Sequence, residues 1–128
     1  AKYSQGDINI EETCKTIVLS GKKTKQKIAV LLRGRDKVNF SAAKKLIGEE
    51  MNIANAEEVK EVAGVDPGAV CPFMLSVPLF VDKHVLALKK INCGSGDHLH
   101  GLEFETADLA RAVQYREAAL SKELVTNA

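Results

Sequence analysis

The sequence predicts an α+β domain whose sheet is mixed or antiparallel. Residues 13–19 and 28–33 are rich in β-branched and aliphatic side chains, which is typical of strands. Two short helical patterns follow at 41–48 and 55–64, and three further strand patterns precede a final helical one. This order of two strands, two helices, three strands and one helix departs from the alternation that builds a parallel α/β sheet.

The first strands are predicted at Thr13–Leu19 and Ile28–Arg33, joined by a polar hairpin connection over residues 20–27. The first helix is expected to open at Ser41 and to stop at Gly48. Its predicted apolar face consists of Ala43, Leu46 and Ile47.

The second helix is predicted from its start and stop signals. Asn55 and Glu58 have the spacing of a capping box, and Gly64 is suited to end the helix. The predicted apolar face is Val59, Val62 and Ala63.

A glycine- and proline-containing loop over residues 64–73 opens the second half of the chain. Strands are then expected at Leu79–Val81, Leu86–Cys93 and Leu99–Phe104. The pattern from Thr106 to Leu120 predicts a closing helix.

Composition favours one cytoplasmic globular domain over residues 1–128. The 128 residues are 45% hydrophobic and 27% charged, which is ordinary globular usage. No apolar run approaches the ~20 residues that span a bilayer, so no membrane association is expected. The cysteines Cys14, Cys71 and Cys93 are scattered, which argues against a secreted disulfide scaffold.

The net charge of +1 conceals a strongly basic segment. Residues 15–45 carry ten Lys or Arg against one Asp, a net +9, whereas residues 46–82 sum to −6. This block is either the footprint of a polyanion or a solvated, lysine-rich hairpin tip. The absence of Trp and the total of six aromatic residues argue against a base-stacking platform for single strands.

Lys15 is the first candidate for chemistry. Strand side chains alternate between faces, so Lys15 shares a face with Ile17 and Leu19 and is expected at the rim of an apolar layer. A lysine in that position either extends its ammonium to solvent or meets an anion.

The loop at 64–73 is the second candidate. Gly68 tolerates positive φ, and Pro67 and Pro72 stiffen the loop on either side. The backbone amides of Ala69, Val70 and Cys71 could then converge on an oxyanion. The alternative is a plain turn.

The stretch Gly94–His100 (GSGDHLH) is the third candidate. His98 and His100 could bind zinc together with Cys71 or Cys93, but the spacing matches no structural zinc pattern. The alternatives are a glycine-rich loop close to a ligand and a plain β-turn. Neither Ser95 nor Cys71 has the sequence context of a catalytic triad.

Taken together, these segments resemble the YbaK/ProX family of editing proteins, which also occurs as the editing domain of prolyl-tRNA synthetases. The resemblance runs from about Thr13 to the predicted final helix. Five landmarks carry it, in order: the lysine strand CKTIVL at 14–19, VNFSAAKKLIG at 38–48, the G-x-x-x-P loop GAVCP at 68–72, PLFVD at 78–82, and the glycine loop at 94–96 followed by ADL at 107–109.

The resemblance implies a compact α/β fold around a mixed, barrel-like sheet, and hydrolysis of the ester bond in mischarged aminoacyl-tRNA. The amino acid would be alanine or cysteine on the tRNA for proline. The functional centre implied is Lys15 and Gly68. No metal or organic cofactor is expected; the expected partners are tRNA and prolyl-tRNA synthetase.

Further site residues are expected around that centre. Substrate contacts are predicted at Ala69, Val70, Cys71, Pro72, Gly94, Ser95, Gly96 and His98. Phosphate contacts to tRNA are predicted at Lys22, Lys23, Lys25, Lys27, Arg33 and Arg35.

Two departures from the family pattern bear on the function. Only fourteen residues precede Lys15, whereas family members carry a further helix and strand there, which suggests a shortened N-terminus. Ala69 also stands where a second glycine is common. The alternative function is therefore a non-catalytic tRNA-binding or synthetase-associated module with the same fold.

Overall fold

A computed structural model describes residues 13–65, 70–73, 75–94 and 101–123. Nine strands and four helices lie in these residues, together with one 3₁₀ turn at Thr106–Asp108. The strands are β1 (Cys14–Gly21), β2 (Lys27–Arg33), β3 (Asp36–Val38), β4 (Met51–Ile53), β5 (Leu79–Asp82), β6 (Lys90–Gly94), β7 (Gly101–Glu105), β8 (Arg116–Ala118) and β9 (Ser121–Glu123). The helices are α1 (Phe40–Ile47), α2 (Ala56–Ala63), α3 (Lys83–Leu86) and α4 (Leu109–Ala112).

The main sheet has the strand order β4-β1-β2-β5-β8. β1 pairs antiparallel with β2 and β4, whereas β5 pairs parallel with β2 and with β8. The predicted mixed sheet is therefore confirmed, in an open form with β4 and β8 at its ends rather than as a closed barrel. Two separate ribbons, β3-β9 and β6-β7, and one isolated parallel bridge between Thr13 and Asn92 make up the remaining strand pairing of the described residues.

Both faces of the sheet are covered by apolar side chains. On one face of β1, Leu19 joins the cluster that contains Ala43 of α1 and Leu120. On the other face, Cys14 packs in the cluster of Ile91. Because β1 is covered on both faces, its sequence is an apolar run rather than a strict alternation.

Local sequence rules predicted the helix ends well. The Asn55 side chain accepts a hydrogen bond from the Glu58 amide and Gly64 closes α2 with φ 75°, which confirms the capping box. Gly48 closes α1, also as predicted. The prediction for the start of α1 was wrong, since Asn39 rather than Ser41 caps it.

Among the described residues, no helix has the length and apolar character needed to cross a membrane.

The apolar face predicted for α1 needs one correction. Ala43 is buried, but Leu46 is exposed. The short helix lies against the sheet only along the side of Ala42, Ala43 and Ile47. Leu46 falls on the solvent side of that contact.

The largest correction concerns the C-terminal quarter of the chain. The helix predicted from Thr106 to Leu120 is limited to one 3₁₀ turn and the four-residue α4, and β8 and β9 follow. Pairing of β8 with β5 and of β9 with β3 outweighs local helical propensity here. The strand predicted at Leu86–Cys93 is also shorter, because α3 occupies 83–86 and β6 begins at Lys90.

Candidate functional site

Lys15 lies on β1 opposite Leu32 of β2 and is half-buried. Its side chain is on the strand face of Ile17 and Leu19, as the alternation predicted, and its Nζ donates to the carbonyl oxygen of Gly34 at 3.2 Å. The ammonium therefore sits at the rim of the apolar layer, where β1 and β2 meet the turn after β2. It retains donor capacity for a further acceptor, because an ammonium carries three N–H groups.

The predicted oxyanion loop is described only in its second half. Val70, Cys71 and Pro72 are buried, whereas Gly68 and Ala69 lie outside the described residues. Val70 belongs to the cluster of Val18, whose side chain is on the opposite face of β1 from Lys15. The described part of the loop thus packs behind the strand that carries the lysine.

The three cysteines are buried and lie close together, and among the described residues none of them forms a disulfide. Burial raises the pKa of the Cys71 thiol. Burial also raises the pKa of Cys93, and the neighbouring Cys71 and Cys14 add to that shift. Because the thiolate is the nucleophilic form, a raised pKa makes Cys71 and Cys93 poor nucleophiles.

Most of the predicted glycine-rich contact lies outside the described residues. Gly94 ends β6 and pairs with Gly101 of β7. Ser95, Gly96, His98 and His100 are not described. The interpretations of this stretch as a ligand loop, a zinc site or a turn therefore remain predictions.

The basic tip, residues 22–27, connects β1 and β2 and is held by one buried carboxylate. Glu49 accepts hydrogen bonds from the Lys23 amide at 2.8 Å and the Thr24 amide at 3.1 Å. It also accepts from the Thr24 hydroxyl and from the Gln26 side chain. These bonds, that of the Thr24 hydroxyl first, lower the pKa of Glu49 to about 2. Sequence analysis did not identify Glu49, since nothing local to it signals a turn 25 residues away.

Because Gly21 has no side chain, the Glu49 carboxylate can lie directly beside its backbone. A Cβ at Gly21 would lie 2.5 Å from the carboxyl carbon of Glu49. A side chain at this position would therefore displace the Glu49 carboxylate from its hydrogen bonds to the tip.

The six basic residues predicted to bind phosphate divide into two groups. Lys22, Lys23 and Lys25 are exposed in the tip, and Lys27 is half-buried where the tip meets β2. Arg33 and Arg35 lie at the other end of β2, about 20 Å away for a seven-residue strand.

Three of the six also have ion-pair partners within the protein. Lys22 pairs with Glu50 at 3.2 Å. Lys27 pairs with Glu58 at 3.1 Å, and Arg33 pairs with the buried Asp36 at 2.7 Å. The charges most open to a ligand are therefore Lys23, Lys25 and Arg35, which are exposed.

Asp82, His84 and Ser121 have the residue types of a hydrolytic triad without its geometry. His84 Nδ1 lies 3.0 Å from an Asp82 carboxylate oxygen and 2.9 Å from the Ser121 hydroxyl. A triad needs the carboxylate and the serine on opposite ring nitrogens, whereas here both contact the same one. This arrangement cannot relay a proton from serine to histidine.

The same group could be mistaken for a cation site. Ligand atoms of Asp36, Asp82 and His84 lie within 4.8 Å of one another. However, Asp82 accepts from the amides of Leu120 and Ser121 and from His84, and both oxygens of Asp36 accept from Arg33. Burial raises the pKa of Asp82, but the amide bonds outweigh it and hold the pKa below its usual value. The cluster is a structural junction.

Two polar side chains near Lys15 were not identified from the sequence. Within the described residues, the Thr16 hydroxyl and the Asn92 amide nitrogen are buried and lack hydrogen-bond partners. Thr16 lies on the face of β1 where Val18 packs, and Asn92 adjoins Thr13 through a parallel bridge. For Thr16 the sequence did contain a signal, because a threonine there interrupts an otherwise apolar strand face.

Residues 2–112 match the aminoacyl-tRNA editing domain family. The chain belongs to this family. That match covers Lys15, the 64–73 loop and the basic tip.

Solved structures share the fold of this editing domain. The hypothetical protein APE2540 is 30% identical, with a TM-score of 0.82 over 90% of this chain and 77% of that one. A "putative trans-editing enzyme for prolyl tRNA synthetase" is 22% identical, with a TM-score of 0.78 over 89% of this chain and 73% of that one. At 22% identity, the similarity to the second of these structures shows a shared fold and nothing more specific.

Proposed function

We propose that this editing domain is an ester hydrolase that deacylates mischarged aminoacyl-tRNA. The observation that carries the proposal is the family match over residues 2–112, with Lys15 on β1 as the resemblance requires. Water attacks the carbonyl carbon, the bond to the ribose oxygen breaks, and the products are the free amino acid and tRNA.

The proposed reaction centre combines Lys15 with the loop of Gly68, whose described half packs on the opposite face of β1 from the lysine. The ammonium of Lys15 would neutralise a terminal phosphate or the ester oxygen, or bind a ribose hydroxyl. The amides of Gly68, Ala69, Val70 and Cys71 would bind the developing oxyanion. Positioning and electrostatics suffice for an ester that is already reactive.

The remaining predicted contacts complete the proposed substrate site. Pro72, Gly94, Ser95, Gly96 and His98 would line it. The family resemblance points to alanine or cysteine on the tRNA for proline as the substrate. The solved trans-editing relative supports association with prolyl-tRNA synthetase.

The exposed basic residues are proposed to bind tRNA phosphates. Lys15 and Gly21 are six residues apart along β1, so the tip lies about 20 Å from the reaction centre. Contacts at that distance reach the body of the tRNA rather than its terminal ester. They would strengthen binding of every tRNA alike and would decrease with added salt.

The decisive experiment measures release of labelled amino acid from Ala-, Cys- and Pro-tRNA for proline. Lys15→Ala should lower the deacylation rate about 10²–10³-fold, the cost of losing one stabilising donor. Its fold should stay intact, because the Lys15 ammonium bonds only the Gly34 carbonyl among the described residues. Lys122→Ala, an exposed strand lysine on β9, is the matched control and should retain the wild-type rate.

Unchanged turnover in a folded Lys15→Ala protein would overturn the assigned role of that residue. If the wild-type protein binds tRNA but releases no amino acid from any of the three substrates, the non-catalytic tRNA-binding module is the correct interpretation.

A further inference from the structure

A groove of about 840 Å³ opens between the first turn of α1, β4 and the base of the basic tip. It is lined by Lys22, Phe40, Ser41, Lys44, Glu50, Met51, Asn52 and Ile53. We call it the α1–β4 groove. Of the predicted site residues, Lys22 alone is among those that line it in the described part of the chain.

Its apolar wall is unusually exposed. Phe40 is 42% exposed and Ile53 is 61% exposed, although both are large apolar side chains. Leu46, on the same helix, is similarly exposed at 44% but does not line the groove. The α1–β4 groove thus presents an aromatic ring with an aliphatic neighbour.

Its charged wall already holds an oxyanion between two ammonium groups. One Glu50 oxygen lies 3.2 Å from Lys22 Nζ, and the other lies 3.8 Å from Lys44 Nζ. The lysines, hydrogen bonding from Lys22 first, lower the pKa of Glu50. All three side chains are at least half exposed, so an anion from solution can compete for the same position.

We propose that the α1–β4 groove binds one unpaired nucleotide of single-stranded RNA, with the base against Phe40 and Ile53 and the phosphate replacing the Glu50 carboxylate between Lys22 and Lys44. The proposal rests on the proposed function, since it takes the RNA to be the substrate tRNA. A nucleotide carries the two groups that the groove can bind, a flat base for the aromatic ring and a phosphate oxyanion for the two ammonium groups. A single aromatic is sufficient for one base, so the low aromatic content does not exclude it.

The position of the groove fits a nucleotide upstream of the aminoacylated end. Met51 pairs with Gly21, at the opposite end of β1 from Lys15. Helix α1 packs on the same face of β1 that carries Lys15. The groove and the Lys15 ammonium therefore lie on the same side of the sheet, toward opposite ends of β1.

The test is fluorescence anisotropy of the full chain with a labelled, unstructured RNA oligonucleotide that carries no amino acid. Phe40→Ala should weaken binding about tenfold, the usual effect of losing one stacked base, and Phe40→Tyr should restore it. Leu46→Ala is the matched control and should stay within twofold of wild type. Glu50→Gln should strengthen binding severalfold, because it removes the internal competitor of the phosphate. Thermal melts confirm that each variant is folded.

Unchanged binding in Phe40→Ala, or weaker binding in Glu50→Gln, would overturn the proposal; a surface for a protein partner would give the first result. The oligonucleotide contains no ester, so this readout is independent of catalysis. If the wild type deacylates tRNA but Phe40→Ala binds RNA normally, the groove proposal alone fails. If Phe40→Ala loses RNA but the wild type has no hydrolytic activity, the groove stands and the hydrolase does not.

Discussion

Glu49 and Asp82 are two buried carboxylates that each accept several hydrogen bonds, yet they hold very different parts of the molecule. Glu49 binds the amides and side chains of a single turn, the basic tip. Asp82 binds the amides of Leu120 and Ser121 and caps α3, so it joins β5 to the segment leading into β9. One carboxylate orders an exposed loop that we propose to contact RNA, whereas the other connects distant elements of the core.

The two carboxylates differ in the surroundings of the hydrogen-bond donors that become unpaired when the carboxylate is removed. The donors around Asp82 lie between strands, and the Leu120 bond is fully buried. The donors around Glu49 lie in a partly exposed turn that water can reach. An unpaired donor is costly only where water cannot replace the lost acceptor.

The largest expected effect is that of Asp82→Ala. It leaves two strand-linking amides unpaired, so we expect the free energy of unfolding to fall by about 3–4 kcal/mol. Asp82→Asn retains one acceptor oxygen and should lie between this variant and wild type. Urea denaturation measures all three. A loss below about 1 kcal/mol for Asp82→Ala would show that the two carboxylates are equivalent after all.

The intermediate effect is that of Glu49→Gln, and it depends on pH. The folded-state pKa of Glu49 is about 2, below the ordinary value of 4.5, so its stabilising contribution is complete above pH 4.5. It decreases as the pH falls from 4.5 toward 2. The difference in urea midpoint between wild type and Glu49→Gln should therefore be constant at neutral pH and narrow below pH 4.5. A difference that stays constant down to pH 2 would contradict the anchoring role.

The smallest expected effect is that of Thr24→Val, which removes one hydroxyl and keeps the side-chain shape. Because the Thr24 hydroxyl is the main cause of the low pKa of Glu49, that pKa should rise toward 4.5. The loss of stability should not exceed about 1 kcal/mol in this exposed turn. A carboxyl-carbon NMR titration of Glu49 measures the shift; Lys60→Ala on α2 should leave it unchanged.

Sequence rules succeeded where the information is local. The Asn55–Glu58 capping box and the β1–β2 hairpin depend on neighbouring residues, and both were predicted. The helix predicted from Thr106 to Leu120 failed because its alternative is non-local. Strand β8 pairs with β5, some 36 residues away, as Phe80 is opposite Arg116.

The candidate site shows the same division. Strand alternation correctly predicted the face of Lys15, because the period of two needs only the strand itself. The sequence could not show that Arg33 is engaged by Asp36 or that Glu49 holds the tip, since both depend on how turns fold back. The role predicted for Gly68 remains a prediction, because Gly68 lies outside the described residues.

The partners of Asp82 also impose an order on synthesis. A nascent chain that has left the ribosome up to β7 already contains Asp82, but not the two amides that neutralise it, which arrive 38 and 39 residues later. Until then the carboxylate must remain in water, which keeps the end of β5 from closing over it. The sheet can therefore reach its final packing only after the segment around Leu120 has emerged.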